Sequence, residues 1–479
     1  MRIAGVAIAC CAVLAIPSPA AAVTHDWARF GFDAARSNMS SAYAGIGAGD
    51  LAHLVRQDVT VPGTVDSSPL YLHDVPVKGR MRDAFFASTT YGRVFALDAD
   101  SGAVLWTYTP ASYADLFPGG QFQASSPVAD RKRGFIYATS PDGLIHKLSL
   151  AGGREVLTDS WPVPVTLDAH HEKMSSPLNI SGRWVIMTTA SYDDNKPYVG
   201  HVALVNRWTG ELEHVFNAIC PKSHELISAA DCKQGVGAGI WARSGAVVIP
   251  KSHRLLVTTG NSKWNGTTNF GDTVLELSPD ATRVLDTWTP RNQSAMDAFD
   301  LDLGSTAPAL MRSGKRLLGV QGGKDGLLRL LDVDDLNGHG GACACTTDAL
   351  RTYHPKRSGI FTTPAIWRHR GASWAFVATY YGTLAYRLTK AEHPKLHHEW
   401  RADVGGSSPV IAGGLLYVYD PFGHGVAVYR PASGKLLATL PAARGHWNSP
   451  IVADGRVAVP TGSVNDHAAT AVFTIYRKP

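Results

Sequence analysis

The chain is expected to be all-β: an eight-bladed β-propeller of four-stranded antiparallel blades, its ring closed by an N-terminal strand. Three observations lead there. A serine/proline signature recurs eight times, as Ser67-Ser68-Pro69, Ser125-Ser126-Pro127, Ser175-Ser176-Pro177, a degenerate Arg243-Ser244-Gly245, Ser305-Thr306-Ala307-Pro308, Thr362-Thr363-Pro364, Ser407-Ser408-Pro409 and Asn448-Ser449-Pro450. Successive copies stand roughly 40 to 70 residues apart, the scale of one supersecondary unit in a repeat protein. The sequence after each copy alternates apolar and polar residues in short runs broken by glycine, as half-buried antiparallel strands do, and helix-period patterns are almost absent. Finally, the last copy is followed by only two strand-like stretches, near 457–460 and 469–476, while 51–61 has a strand pattern and no blade of its own.

Taken in order, the first blade reads as strand 70–72, strand 83–89, the turn Tyr91-Gly92-Arg93, strand 94–98, the turn Ser101-Gly102, and a strand beginning Val104-Leu105-Trp106. The same succession recurs at 134–150, 184–216, 255–288, 316–333, 374–400 and 415–440. One blade cannot bury both of its faces alone, so such units close into a ring around a central channel. The stretch 51–61 is expected to supply the missing outer strand of the eighth blade, leaving no sheet edge open.

A prior of one domain per ~150 residues would divide this chain in three. No linker, low-complexity tract or charge run marks such a division, so residues 23–479 are read as a single domain. With 45% hydrophobic residues the chain has enough apolar surface for a large core. Residues 1–22 read as a secretory signal peptide: Arg2 is the basic end, 3–16 the apolar run, and Ala20-Ala21-Ala22 the small-residue cleavage site. That run is too short to span a membrane, so the mature protein is expected to be periplasmic or secreted. Cys10 and Cys11 leave with the signal unless one of them carries a lipid.

Four cysteines remain, Cys220, Cys232, Cys343 and Cys345, and an even number in an exported protein reads as disulfides. Three pairings are possible; proximity favours Cys220 with Cys232 and Cys343 with Cys345. The chain has neither a paired Cys-x-x-Cys zinc pattern nor the Cys-x-x-Cys-His of covalent haem. A net charge of +5, scattered along the chain without a basic stripe, argues against nucleic-acid binding.

The blade signatures, the segment Ala96-Leu97-Asp98-Ala99-Asp100-Ser101-Gly102 with Trp106, and the opening Asp26-Trp27-Ala28-Arg29-Phe30-Gly31-Phe32-Asp33 together resemble the pyrroloquinoline-quinone-type (quinoprotein alcohol dehydrogenase-like) β-propellers, over nearly all of 24–479. That superfamily holds both quinoprotein dehydrogenases and non-catalytic scaffolds such as the outer-membrane barrel-assembly lipoprotein, so fold alone does not decide activity. Three motifs point to the dehydrogenases. Thr259-Gly260-Asn261-Ser262-Lys263-Trp264-Asn265 resembles the segment whose asparagine gives a side-chain oxygen to calcium, and a hard cation takes oxygen ligands. In Asp297-Ala298-Phe299-Asp300-Leu301-Asp302-Leu303-Gly304 the resemblance makes Asp300 the general base and a second face to the calcium, with Asp302 its competitor. Gln321-Gly322-Gly323-Lys324-Asp325-Gly326 resembles the segment whose cation bonds the quinone oxygens, which assigns that role to Lys324. Trp241, in Gly239-Ile240-Trp241-Ala242-Arg243, falls where the family places the indole on which the cofactor ring stacks.

Each motif also has a structural reading: a glycine-rich turn, an acidic rim loop, a hairpin turn with a solvated lysine, and an indole packed between blades. The departures are equally specific. The family's calcium-binding glutamate is replaced by Asn195, with Asp193 or Asp194 adjacent, and the adjacent-cysteine ring and the arginine that follows it are missing from 111–124. Lys173, His170 and His171 are the nearby cations, although His170-His171-Glu172 reads equally as a surface loop. The resemblance therefore implies an exported dehydrogenase of an alcohol or sugar-type substrate, using pyrroloquinoline quinone and calcium and handing electrons to an external acceptor such as a cytochrome. Two other readings stand beside it: a cofactor-free scaffold that binds a protein partner, and a polysaccharide hydrolase or lyase, for which no paired-carboxylate motif speaks.

Overall fold

The computed structural model describes Met1 and residues 25–337, 343–355, 358–390, 392–462 and 467–479. Met1 apart, the expected signal peptide lies outside these residues. The described chain forms eight four-stranded antiparallel sheets arranged as a ring. Blade 1 comprises Leu70–Val77, Arg80–Ser88, Val94–Asp98 and Val104–Tyr108, and blade 4, which follows the degenerate signature, comprises Val247–Val248, Leu255–Thr258, Val274–Leu277 and Val284–Trp288. The first strand of each blade is innermost: Leu70–Val77 touches Ile451–Ala453 of blade 8, and the first strands of blades 5 to 8 touch in succession. The opening hairpin of blade 1 is longer than its apolar run implied, because Lys78 and Gly79 turn it beyond the sheet body in left-handed backbone that glycine adopts freely.

Closure follows the expected course. Val55–Val61 pairs antiparallel with Ala471–Arg477 over seven residues, giving blade 8 its outer strand. A buried cluster seals this seam from both sides, with Phe85 and Phe95 of blade 1 against Phe473 and Ile475 of blade 8. Elsewhere the core is distributed between blade faces. Outer-edge indoles bolt neighbours together: Trp106 packs on Gly153, Trp161 on Gly210 and Trp400 on Gly434, each glycine at positive φ with no room for a Cβ beneath the ring.

The segment before the closing strand crosses one mouth of the channel. Trp27 pairs with Tyr71 of blade 1, Ala28 accepts from Ala129 of blade 2, Ala34 from Val248 of blade 4, Ser37 from Ile366 of blade 6, and Tyr43 and Ala44 from Asp454 and Gly455 of blade 8. Arg36 lies fully buried at its centre, donating to the carbonyls of Phe30 at 2.6 Å and Leu178 at 2.8 Å. Both expected disulfides are present, Cys220 with Cys232 and Cys343 with Cys345. No helix of the described residues is long and apolar enough to cross a membrane.

Candidate functional site

Because every innermost strand runs the same way, the residues just before them gather at the mouth opposite the N-terminal segment. There they enclose a cavity of 340 Å³ lined by Asp66, Lys173, Asp194, Trp241, Arg243, Asp302, Lys324 and Trp447, among others. Three of the four motifs singled out in the sequence contribute lining residues, and the fourth, around Asn261, is bonded directly to them. Asn261 follows the second strand of blade 4. Its backbone N–H donates to Asp302 Oδ1 at 2.7 Å and its side-chain amide to Asp300 Oδ1 at 2.8 Å. Lys324, in the turn after Arg316–Gln321, bridges the two acids: Nζ lies 2.5 Å from Asp300 Oδ2 and 3.4 Å from Asp302 Oδ2. Gly260 permits this closeness, since a Cβ there would collide with Asp302 and stand 3.1 Å from Trp241 Nε1.

The two aspartates differ in setting. Asp300 is 56% exposed and holds left-handed backbone, as do Asp193 and Asp194. Such conformations cost about 1–3 kcal/mol in general, are tolerated best by Asp and Asn, and cluster at functional sites. Asp302 is almost wholly buried; burial raises its carboxyl to about 6, the Asn261 amide and Lys324 opposing this and Asp194 and Asp300 adding to it. For Lys324, burial acts to lower the ammonium, but the bond to Asp300 and the charges of Asp302 and Asp300 outweigh it and the net shift is upward.

Asn195 is exposed and is not among the cavity-lining residues, whereas Asp193 and Asp194 line it. Asp194 is oriented by the Tyr198 hydroxyl at 3.1 Å. His170 is exposed and His171 pairs with Asp168 at 2.7 Å, so neither histidine reaches the cavity. Lys173 does. A two-residue ladder with Ala190–Ser191 fixes it beside Asp193, and its Nζ sits 3.8 Å above the Phe122 ring. Burial lowers its ammonium to about 8, with Asp66 and Asp193 opposing and Arg243 adding.

Several lining residues carry no signal in the motifs. Arg243, which stands in the degenerate signature, is the only arginine lining the cavity among the described residues, and it is buried. Its guanidinium faces the carbonyls of Asp66, Ala124, Ser175 and Trp447 at 3.2 to 3.5 Å, from the segments leading into blades 1, 2, 3 and 8. Trp241, Phe361, Tyr380 and Trp447 form a continuous aromatic wall with ring centroids 5.6 to 6.2 Å apart. Asp66 holds the far side, accepting from the Trp447 amide at 2.8 Å and facing His446 Nδ1 at 2.9 Å. Asp66, Arg243 and Trp447 each sit at or just before a Ser-Ser-Pro-like signature. Reading that position across all repeats is the signal that would have found them.

No protein-family model and no curated protein matches the sequence. Solved structures do. A quinohemoprotein alcohol dehydrogenase from Comamonas testosteroni matches with a TM-score of 0.68 at 16% identity, over 95% of this chain and 81% of that one. A second quinohemoprotein alcohol dehydrogenase, from Pseudomonas putida, matches with a TM-score of 0.68 at 14% identity, over 95% and 80%. A europium-containing methanol dehydrogenase matches with the same score at 15% identity, over 95% and 98%. The chain thus has the eight-bladed fold of these dehydrogenases at very low identity, and its cavity sets Asp302 and Lys324 beside Trp241 and Trp447, with Asn261 and Asp300 bonded to the first two from outside the lining.

Proposed function

We propose that this protein is an exported quinoprotein-like dehydrogenase of an alcohol or sugar-type substrate, dependent on pyrroloquinoline quinone and a hard cation, and that it passes electrons to an external acceptor. The observation that carries the reading is the meeting of three turns at one aromatic-walled cavity: Asp302 and Lys324 line it, and Asn261 and Asp300 are bonded directly to them. The side chains fit both groups. Asn261 Oδ1 is a buried acceptor with no hydrogen-bond partner, and with the Asp300 and Asp302 carboxylates it makes an all-oxygen donor set suited to calcium. One structural neighbour is a europium-containing enzyme, and a second aspartate would also suit a more highly charged ion, since affinity follows ligand charge. Trp241 and Trp447 offer flat platforms for an aromatic cofactor, and Lys173 and Arg243 supply positive charge where the family's arginine is missing.

When bound, the quinone would accept the hydride that leaves the substrate's carbinol carbon. The residues' own tasks follow from their settings. Asp300, exposed and paired with Lys324, takes the hydroxyl proton as general base. Lys324 presents a fixed positive charge to oxygen atoms that gain electron density. Asn261 and Asp302 would hold the metal, and the aromatic wall would exclude water and offer the cofactor a flat face.

Calorimetric titration of the calcium-loaded apoprotein with pyrroloquinoline quinone tests this, repeated for Asp300→Ala and Lys324→Ala. Saturable binding that weakens in the lysine variant is expected, followed by turnover with an artificial acceptor that Asp300→Ala abolishes. No binding at high micromolar cofactor, with calcium or with europium, would remove the dehydrogenase reading and turn the search to protein partners at the same rim.

A further inference from the structure

We propose that His25, His73 and Asp454 form a site for a divalent transition-metal ion of the zinc class, at the seam where the ring closes. The three side chains come from parts of the chain that only closure brings together: the N-terminal segment, the first strand of blade 1, and the turn after Ile451–Ala453 in blade 8. Their ligand atoms lie within 4.8 Å of one another, and no other group of three His, Cys, Asp or Glu side chains among the described residues does so.

The geometry is that of a ligand set. His25 Nδ1 lies 2.5 Å from Asp454 Oδ1 and His73 Nδ1 lies 3.0 Å from Asp454 Oδ2, so both imidazoles turn the same nitrogen toward one carboxylate. Metal–ligand bonds of about 2.0–2.2 Å in a tetrahedron place donor atoms about 3.3 Å apart, so an ion needs only a small spreading of the group. His73 Nδ1 is buried and makes no aligned hydrogen bond, although Asp83 Oδ1 at 2.9 Å is also near. In its Nε2–H tautomer that nitrogen carries a lone pair for an ion, while Asp83 stands outside the group of three. Tyr71 fixes both acids, its hydroxyl 2.8 Å from Asp83 Oδ2 and 3.0 Å from Asp454 Oδ2, in the manner of the outer partners that orient metal ligands. Asp26 accepts from the His73 backbone N–H at 2.9 Å and anchors that strand to the N-terminal segment.

Two imidazole nitrogens among carboxylate oxygens favour zinc-class ions over calcium. The site is therefore chemically distinct from the oxygen-only set at the opposite mouth and stands whether or not the dehydrogenase reading does. An ion here would pin residue 25 to both blades that flank the seam.

The test uses untagged, chelator-treated protein dialysed against zinc chloride with calcium present, with metal analysis and calorimetry on wild type, His25→Ala, His73→Ala and Asp300→Ala. One zinc per chain is expected. Affinity should fall at least tenfold in each histidine variant and stay unchanged in Asp300→Ala, and zinc should raise the Tm of wild type and of Asp300→Ala but not of the histidine variants. Absence of saturable binding, or retention in both histidine variants, would overturn the proposal, as would loss in Asp300→Ala, which would put the ion in the central cavity. If His73→Ala does not fold, His73→Gln and His25→Ala carry the same comparison.

Discussion

Asp272 offers a sharp test of how the candidate site is built. It is fully buried beneath the two loops that matter: its backbone N–H donates to Gly260 O at 3.0 Å, next to Asn261, and its Oδ1 accepts from Leu303 N at 3.0 Å, next to Asp302. Burial raises its carboxyl to about 8; the Leu303 and Gln293 bonds oppose this, and Asp302 and Asp297 add to it. The folded state therefore keeps a proton that the unfolded chain releases near pH 4. Between these limits the native state binds more protons, so stability falls as pH rises and levels off above 8. At about 1.4 kcal/mol per pH unit, tapering near 8, the loss between pH 6 and 9 is about 2–3 kcal/mol.

Asp272→Asn removes this term, because the amide is neutral throughout and its carbonyl can still accept from Leu303. Urea unfolding of both proteins under non-reducing conditions at pH 6, 7, 8 and 9 reads it directly. The variant should gain on wild type steadily with pH, by about 2–3 kcal/mol over the range. Glu276 and Lys173 also titrate with shifted values but are common to both proteins and largely cancel in the difference. Parallel stability profiles would show that Asp272 is ionised in the fold and that the account of the site's foundation is wrong.

Four further outcomes are expected. Deleting residues 23–62 should abolish cooperative unfolding, since blade 8 then lacks its outer strand; an unchanged melting curve would refute the closure argument. Lys173→Met should weaken quinone binding at least tenfold, and wild-type affinity should itself decline above pH 8 as the ammonium that burial holds near 8 loses its proton; titrations across pH 7 to 9 check both. Trp241→Ala should cost about 0.5–1.5 kcal/mol of cofactor binding beyond lost contact area if the ring stacks there, measured by the same calorimetry. Replacing Cys220 and Cys232 together by serine should lower stability by about 3 kcal/mol, from the loop-closure entropy of a 12-residue separation, read as a drop in urea midpoint.

The architecture is legible in the sequence because each repeat carries its own punctuation, and the segments of Asn261, Asp300, Lys324 and Trp241 stand out by motif: Asn261 and Lys324 in turns directly after strands, Asp300 just after the helix Gln293–Ala298, and Trp241 shortly before Val247–Val248. The rest depends on which residues ring closure turns inward. Counting back from Gly200 points to Asn195, but the two residues just before it, Asp193 and Asp194, take left-handed backbone, and it is these two that line the cavity. Arg243 reads as a worn copy of the signature, whereas that position faces the channel, where an arginine can span the approaches to four blades. His25 and Asp454 lie 429 residues apart, and no local pattern announces their meeting.

The pairing of 55–61 with 471–477 also orders events in time. The outer strand of blade 8 is among the first parts of the domain to be synthesised and its partner strand among the last, so it has nothing to pair with until the rest of the chain has been made. Thr474 meets Asp58 across 416 residues, one of the largest sequence separations in the molecule. Contacts of that span are slow to form, and until they do the two flanking blades present apolar faces to any passing protease, chaperone or second copy. The step that makes the ring durable is thus also the one during which it is most vulnerable.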